Sequence, residues 1–165
     1  MATLTLVIVT RWYVSLTKNI LEETKRKAKE DKTFFYLEKL EFENLTHIKT
    51  TINNHRYFRR DLFNNISLLD TISALYKADK LVKDLIYPKL SIYCYKFFLD
   101  FHNQIFNLLT TPGLFGNDFN YYENFLDLLD EIFDKEILKV KENESPDTFK
   151  RSKDTLNKIR KKIRR

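Results

Sequence analysis

The architecture of this chain is best predicted from residues 80–109, which read KLVKDLIYPKLSIYCYKFFLDFHNQIFNLL. Apolar and aromatic side chains recur there on almost every side of a helix, and a helix that is apolar all round is normally buried. Pro88 is expected to begin or kink this helix because proline has no backbone N–H to donate. Cys94 lies in the same apolar run and is expected to be a small buried side chain. These residues therefore predict a central helix on which the rest of the chain packs.

The segments on both sides of this helix carry apolar residues at steps of three and four, which is the spacing of amphipathic helices. Such stripes run through residues 31–53 and 62–76 upstream, and through 119–138 downstream of a loop at 110–117. Another helix is expected to begin at Pro146, since proline is favoured at the first helical position. Only 2 Gly and 3 Pro occur among the 165 residues, which argues against a fold of many short strands. The predicted fold class is all-α, a bundle of five to six helices.

Residues 1–21 are largely apolar, but Arg11 and Lys18 interrupt them. A membrane-spanning helix needs about 20 predominantly apolar residues. Trp12 and Tyr13 suit a membrane interface, and the KRKAK cluster at 25–29 is typical of a cytoplasmic flank. Three interpretations remain open: an amphipathic helix packed on the domain, a helix that contacts a membrane or lines an oligomer, and an N-terminal strand.

Basic residues are concentrated at the C-terminal end of the chain. Residues 150–165 hold nine basic residues and one acid, a net charge of +8, whereas residues 118–144 hold nine acids and three lysines, a net charge of −6. The basic tail could bind nucleic acid through phosphates, lie on anionic lipid, or pair with the acidic helix of its own or a neighbouring chain. The candidate binding residues of this tail are Lys158, Arg160, Lys161, Lys162, Arg164 and Arg165.

No motif in the sequence predicts a catalytic, cofactor or metal site. The three histidines, His47, His55 and His102, are scattered, and the chain has one cysteine. Neither a histidine metal motif nor a cysteine-based zinc site is therefore present. Four acidic residues fall about one helical turn apart, and they could hold a cation but are interpreted as a solvated face: Asp127, Asp130, Glu131 and Asp134. We predict no catalytic residue, no metal ligand and no cofactor.

The order of these segments resembles that of a known family. A short apolar N-terminus, a basic flank and a bundle centred on residues 65–76, NISLLDTISALY, resemble the HEPN-like small membrane accessory proteins of type VI-B CRISPR–Cas systems. The resemblance covers most of the chain and is one of size, segment order and composition. It implies a HEPN-like helical bundle that acts in prokaryotic antiviral defence on the cytoplasmic side of the membrane. It further implies a homo-oligomer that contacts lipid, forms a pore and enhances an RNA-guided effector nuclease, without chemistry of its own.

HEPN ribonucleases carry an arginine, about four to six residues and then a histidine, which acts as general acid and base while the arginine stabilises phosphate charge. No arginine of this chain has a histidine at that spacing. The nearest pairs place asparagine there, Arg60 with Asn65 and Arg151 with Asn157, and asparagine cannot transfer a proton. We therefore predict a non-enzymatic protein in which Arg151 and Asn157 are a candidate degenerate pair. The alternative is a soluble HEPN-like RNA-binding protein or ribonuclease that uses the basic tail.

These observations predict three units along the chain. Residues 1–30 form an apolar membrane-contacting or oligomer-lining helix with its basic flank, residues 31–144 form the bundle, and residues 145–165 form the basic tail helix. Arg11 and Trp12 are expected to line a pore or an oligomer contact. A charged side chain inside a membrane segment is costly, so Arg11 should face a water-filled lumen or a partner.

Overall fold

The computed structural model describes residues 2–40, 55–110, 122–136 and 146–163. These residues form helices, with a short turn between residues 77 and 83, and no strand occurs in these ranges. The prediction of an all-α fold is therefore confirmed. In chain order the helices are α1 (Ala2–Lys39), α2 (His55–Lys77), α3 (Lys83–Thr110), α4 (Glu123–Glu136) and α5 (Pro146–Ile163).

Helix α3 lies at the centre and packs against each of the other four helices. Most of its side chains are buried, although Leu85, Ile92 and Lys96 lie on a stripe that faces solvent. Among the buried side chains, Phe97 contacts Phe125 of α4 with ring centroids 6.3 Å apart. Phe98 similarly meets Phe133 edge-on at 5.8 Å. The predicted central helix is confirmed. Pro88 lies inside α3 and not at its start.

The surrounding helices present the apolar stripes that their sequences predict. The buried residues of α2 are Leu62, Ile66, Leu69, Ile72 and Ser73. Those of α4 and the turn before it are Tyr122, Phe125, Leu126, Leu128, Leu129, Ile132 and Phe133. Those of α5 are Ser152, Leu156 and Ile159, and this helix begins at Pro146 as expected. The remainder of the stripe predicted at 119–138, and most of the loop at 110–117, lie outside the described residues.

A carboxylate from α2 caps the start of α4. Asp70 Oδ1 accepts a hydrogen bond of 2.9 Å from the backbone N–H of Phe125. The first N–H groups of a helix have no acceptor within it, and a negative charge there is favourable. Burial raises the pKa of the Asp70 carboxyl, although hydrogen bonds from Phe125 and Asn124 act to lower it. Asp70 therefore fixes where α4 begins relative to α2.

The C-terminal third of α1 is attached to α3 by hydrogen bonds. The hydroxyl of Thr33 is fully buried, donates to the carbonyl of Lys29 at 2.7 Å and accepts the N–H of Val82 at 2.9 Å. Lys89 Nζ donates to the carbonyl of Leu37 at 2.8 Å, close to the end of α1. These bonds satisfy groups that a helix start and a helix end leave without intrahelical partners.

The turn between α2 and α3 also contacts α1. Asp79 has a φ of 54°, in the left-handed region that aspartate tolerates better than most residues. Its carboxylate accepts a hydrogen bond of 3.1 Å from Lys29 Nζ, and this bond lowers the pKa of Asp79. The turn and the C-terminal third of α1 are thus joined by a charged contact as well as by Thr33.

The helix boundary that the sequence suggests near residue 30 is wrong, because α1 continues without a break from Ala2 to Lys39. Residues 25–32 contain no glycine or proline, and their lysines, arginine and glutamate are good helix formers. An ion pair of 3.7 Å between Arg26 and Glu30 adds support one turn apart. The strand interpretation of the N-terminus is also wrong. Residues 41–53 of the stripe predicted at 31–53 lie outside the described residues, and the division into three units stays a prediction.

Replacing Thr33 with valine should lower the free energy of unfolding by about 1–3 kcal/mol, because the N–H of Val82 loses its acceptor in a buried position. Urea denaturation followed by circular dichroism measures this change. The matched control is Thr71→Val, since Thr71 makes the same bond to the carbonyl four residues before it but is exposed. The control should change the free energy by less than about 0.5 kcal/mol. Equal effects of the two substitutions would contradict a bridging role for Thr33.

Candidate functional site

The N-terminal part of α1 is exposed on all sides. Every residue from Val7 to Ala28 is exposed, over a length of about 33 Å at about 1.5 Å per residue. Nine large apolar side chains in this stretch are between 39% and 64% exposed. They are Val7, Ile8, Val9, Trp12, Tyr13, Val14, Leu16, Ile20 and Leu21. Monomeric soluble proteins seldom expose so much contiguous apolar surface, and such surfaces usually mark interaction sites. The interpretation as an amphipathic helix packed on its own domain is therefore wrong.

Successive helical residues are about 100° apart, and this rotation sorts the exposed segment into three faces. The polar face carries most of the charged and amide side chains, with Ile8 as its one apolar member. It consists of Ile8, Arg11, Ser15, Lys18, Asn19 and Glu22. The aromatic face consists of Val9, Trp12, Tyr13, Leu16 and Ile20, and the charged Glu23 also lies on it, about 20° from Trp12 and from Leu16 around the axis. The threonine face, between the other two, consists of Val7, Thr10, Val14, Thr17, Leu21 and Thr24.

The two residues predicted to line a pore or an oligomer contact lie on different faces. Arg11 is on the polar face, whereas Trp12 is on the aromatic face and meets Tyr13 edge-on with centroids 5.5 Å apart. Both side chains are exposed. They lie about 100° apart around the helix axis, and their role in lining a pore or an oligomer contact stays a prediction. Within the described ranges, no helix has the length and apolar character needed to cross a membrane.

Part of the basic tail pairs with the acidic helix α4 of the same chain. Arg160 Nη2 lies 2.7 Å from Asp127 Oδ1, and its Nε lies 2.5 Å from Asp130 Oδ2, within ion-pair distance but without hydrogen-bond geometry. Lys153 forms an ion pair of 3.0 Å with Asp134. Arg160 is only 13% exposed, so this pair is partly shielded from solvent. For these two basic residues, the interpretation as an intrachain contact is confirmed.

Asp127 joins three helices through charge. It accepts a hydrogen bond from Arg160 of α5 and is also 2.5 Å from Lys77 Nζ of α2. Burial acts to raise the pKa of Asp127, but the hydrogen bonds from Lys77 and Arg160 outweigh it and the pKa is lowered. The carboxylate is therefore ionised at neutral pH and holds α2, α4 and α5 together.

Three other candidate residues of the tail face solvent. Lys158, Lys161 and Lys162 are exposed, and Lys162 Nζ also lies 5.8 Å from the centre of the Phe106 ring. Arg164 and Arg165 lie outside the described residues. The exposed lysines keep the RNA alternative open as a prediction.

The two arginine–asparagine pairs do not form a common site. Arg151 and Asn157 are both exposed on α5, and six positions on one helix place them about 120° and about 9 Å apart. Asn65 instead has a packing role, since its Oδ1 accepts a hydrogen bond of 2.9 Å from the buried Tyr93 hydroxyl. The candidate degenerate HEPN pair of Arg151 and Asn157 therefore stays a prediction.

Neither metal binding nor thiol chemistry has a site among the described residues. No group of three potential metal ligands occurs there. Acidic residues of α4 instead form ion pairs with basic side chains, as Glu131 does with Lys135. Cys94 is completely buried, and burial raises the pKa of its thiol.

Comparisons with known proteins found no match. Neither the protein-family models, nor the curated proteins, nor the solved structures contain one that is significantly similar to this chain. The assignment of function therefore depends on the geometry described above and on the resemblance drawn from the sequence.

Replacing Arg160 with glutamine should lower the free energy of unfolding by about 1–3 kcal/mol, because Asp127 and Asp130 lose a half-buried charged partner. Urea denaturation at pH 7 measures the loss. Lys161→Gln removes the same charge from an exposed neighbour and should change the free energy by less than about 0.5 kcal/mol.

The pH dependence of that loss provides a second measurement. A carboxylate whose pKa is lowered on folding contributes stability above its ordinary pKa, and this contribution is lost as the pH falls through the lowered value. Since the ordinary value for Asp127 is 3.8, the difference between the wild type and Arg160→Gln should shrink below about pH 4. A difference that stays constant from pH 7 to pH 3 would show that Arg160 acts by packing alone.

Proposed function

We propose that this protein is a non-enzymatic accessory protein of prokaryotic antiviral defence that assembles on the cytoplasmic side of a membrane through α1. The observation that carries the membrane part is the exposed apolar segment from Val7 to Leu21. The defence setting, the HEPN-like character of the bundle and the effector partner are supported by the sequence resemblance alone.

The aromatic face has the composition of a surface that enters the lipid interface. Tryptophan and tyrosine concentrate at the boundary between headgroups and acyl chains, and Trp12 and Tyr13 are 61% and 59% exposed. Half-burial of the five side chains of this face would contribute on the order of 4–7 kcal/mol. An amphipathic helix can use such a face to lie in the interface without crossing the membrane.

The charges of α1 support the same orientation. Arg11 and Lys18 lie on the polar face, where they would remain in water when the aromatic face is in lipid. Lys25, Arg26 and Lys27 follow the apolar segment, and each basic residue close to anionic lipid contributes about 1 kcal/mol. This arrangement supports association with a negatively charged cytoplasmic surface.

Trp12 provides a direct test because it is the chain's single tryptophan. Its emission should shift to the blue when vesicles containing anionic lipid are added, since the indole leaves water. Leu16→Glu places a charge on the aromatic face and should abolish the shift. Ser15→Glu adds the same charge to the polar face and should largely retain it. A Trp12 emission unchanged by vesicles of any composition would contradict membrane association.

The pore and the defence role go further than membrane association and need their own measurement. Cells that carry an RNA-guided effector nuclease of the implied type should resist phage better when the protein is present. Ser15→Glu should preserve this protection and Leu16→Glu should remove it. A pore would in addition release a dye trapped in vesicles. If both variants protect equally, the aromatic face is not needed for the defence role, and this part of the proposal is contradicted.

A further inference from the structure

We propose that the bundle itself contacts the same anionic lipid surface as the aromatic face of α1, through Phe34 and an exposed stripe of α3. This α3 stripe consists of Leu85, Pro88, Ile92 and Lys96, all of which are exposed. The contact deepens the proposed function, on which it rests, by fixing how the bundle is oriented on the membrane.

Helix α1 and helix α3 run in the same direction where they meet. Three hydrogen bonds join α1 to α3 and the turn before it in rising order along both, namely Lys29 with Asp79, Thr33 with Val82 and Leu37 with Lys89. The contact line of α1 is taken midway between Thr33 and Leu37, and that of α3 midway between Val82 and Lys89. Rotation from these lines is counted as positive in the sense of rising residue number. For two parallel neighbours, rotations of opposite sign lead to the same side of the pair.

Phe34 and the α3 stripe lie on the same side of the molecule. Phe34 is rotated by about +80° from the contact line of α1, whereas Leu85 and Ile92 are rotated by about −50° and −70° from that of α3. The exposed fractions of these three side chains are 54%, 45% and 48%. Three large apolar side chains from two helices therefore form one apolar patch on this side.

The aromatic face of α1 points to this side as well. Its five apolar residues lie between about +40° and +140° from the contact line of α1, and Phe34 falls in the middle of that range. Glu23, Lys27 and Glu30 lie on the same side between the aromatic face and Phe34, so the two apolar parts are separated by a charged segment. When the aromatic face enters lipid, Phe34 and the α3 stripe are thus turned toward the same surface.

Basic side chains at the stripe and beside it select an anionic surface. Lys96 belongs to the stripe, and Phe106 lies about 40° from Ile92 around α3. Lys162 Nζ of α5 is 5.8 Å from the centre of the Phe106 ring, and Lys158 is exposed one turn before it. Half-exposed apolar side chains combined with lysines are typical of surfaces that lie on anionic lipid.

A dye on the α3 stripe tests this contact. Ile92→Cys can be labelled selectively, because the native Cys94 is completely buried. On vesicles containing anionic lipid, spin labels on the acyl chains should quench this dye at least about threefold more than the same dye at Thr71→Cys on α2, because only the stripe enters the interface. Thr71 is likewise exposed. A side-chain probe is needed, since the amides of α3 are already hydrogen-bonded within a largely buried helix.

Phe34→Glu and Phe35→Glu provide a matched pair of variants. The two side chains are neighbours with exposed fractions of 54% and 53%, but Phe35 is rotated by about 180° from the contact line of α1 and points away from α3. Phe34→Glu should lower the affinity of the whole chain for anionic vesicles about tenfold, and Phe35→Glu should lower it less than about twofold. Unchanged circular dichroism would show that both variants fold.

The combined readouts distinguish this contact from membrane association through α1. A blue shift of Trp12 without preferential quenching at position 92, or with equal losses of affinity in the two glutamate variants, would overturn the contact and leave the proposed function standing. Neither a Trp12 shift nor quenching at position 92 would overturn both. A dye at position 92 whose emission changes with protein concentration in the absence of lipid would place a second copy on the stripe and would also overturn the contact.

Discussion

The structure depends on the burial of α3 by the four helices that pack against it. Its rings and aliphatic side chains are apolar around most of the helix, and exposing them would be costly. The apolar stripes of α2, α4 and α5 cover this surface and are themselves covered by it. The C-terminal third of α1 joins the same helix through Thr33 and the carbonyl of Leu37. The apolar stripes of the bundle are thus buried against α3. The apolar side chains in the first part of α1 have no such partner surface within the bundle and remain in solvent.

Charge organises the bundle where apolar contact ends. Asp70 caps the start of α4 by accepting a hydrogen bond from the N–H of Phe125. Asp127 joins α2, α4 and α5 through its ion pairs with Lys77 and Arg160. These contacts are directional, so they specify which helices are neighbours as well as adding stability. They also divide the basic tail, because Arg160 is paired inside the bundle while Lys158 and Lys161 face solvent.

The central helix and the inward stripes of α2, α4 and α5 could be predicted because periodic apolar residues determine which side of a helix is buried. The continuity of α1 does not follow from apolar periodicity, because the apolar residues give way to a cluster of charges near residue 25, although lysine, arginine and glutamate favour helix. The cap by Asp70 and the bridge by Thr33 could not be predicted, since both join residues about fifty positions apart.

Amide hydrogen exchange along α1 tests the central claim most directly, which is that the segment from Val7 to Thr24 is a surface for other molecules and not part of the core. In dilute solution without lipid, the amides of this segment should exchange far faster than those of α3, because no tertiary packing supports them. Vesicles containing anionic lipid should slow exchange in this segment and leave α3 unchanged. Protection equal to that of α3 in the dilute chain, or no change on adding vesicles, would contradict the account.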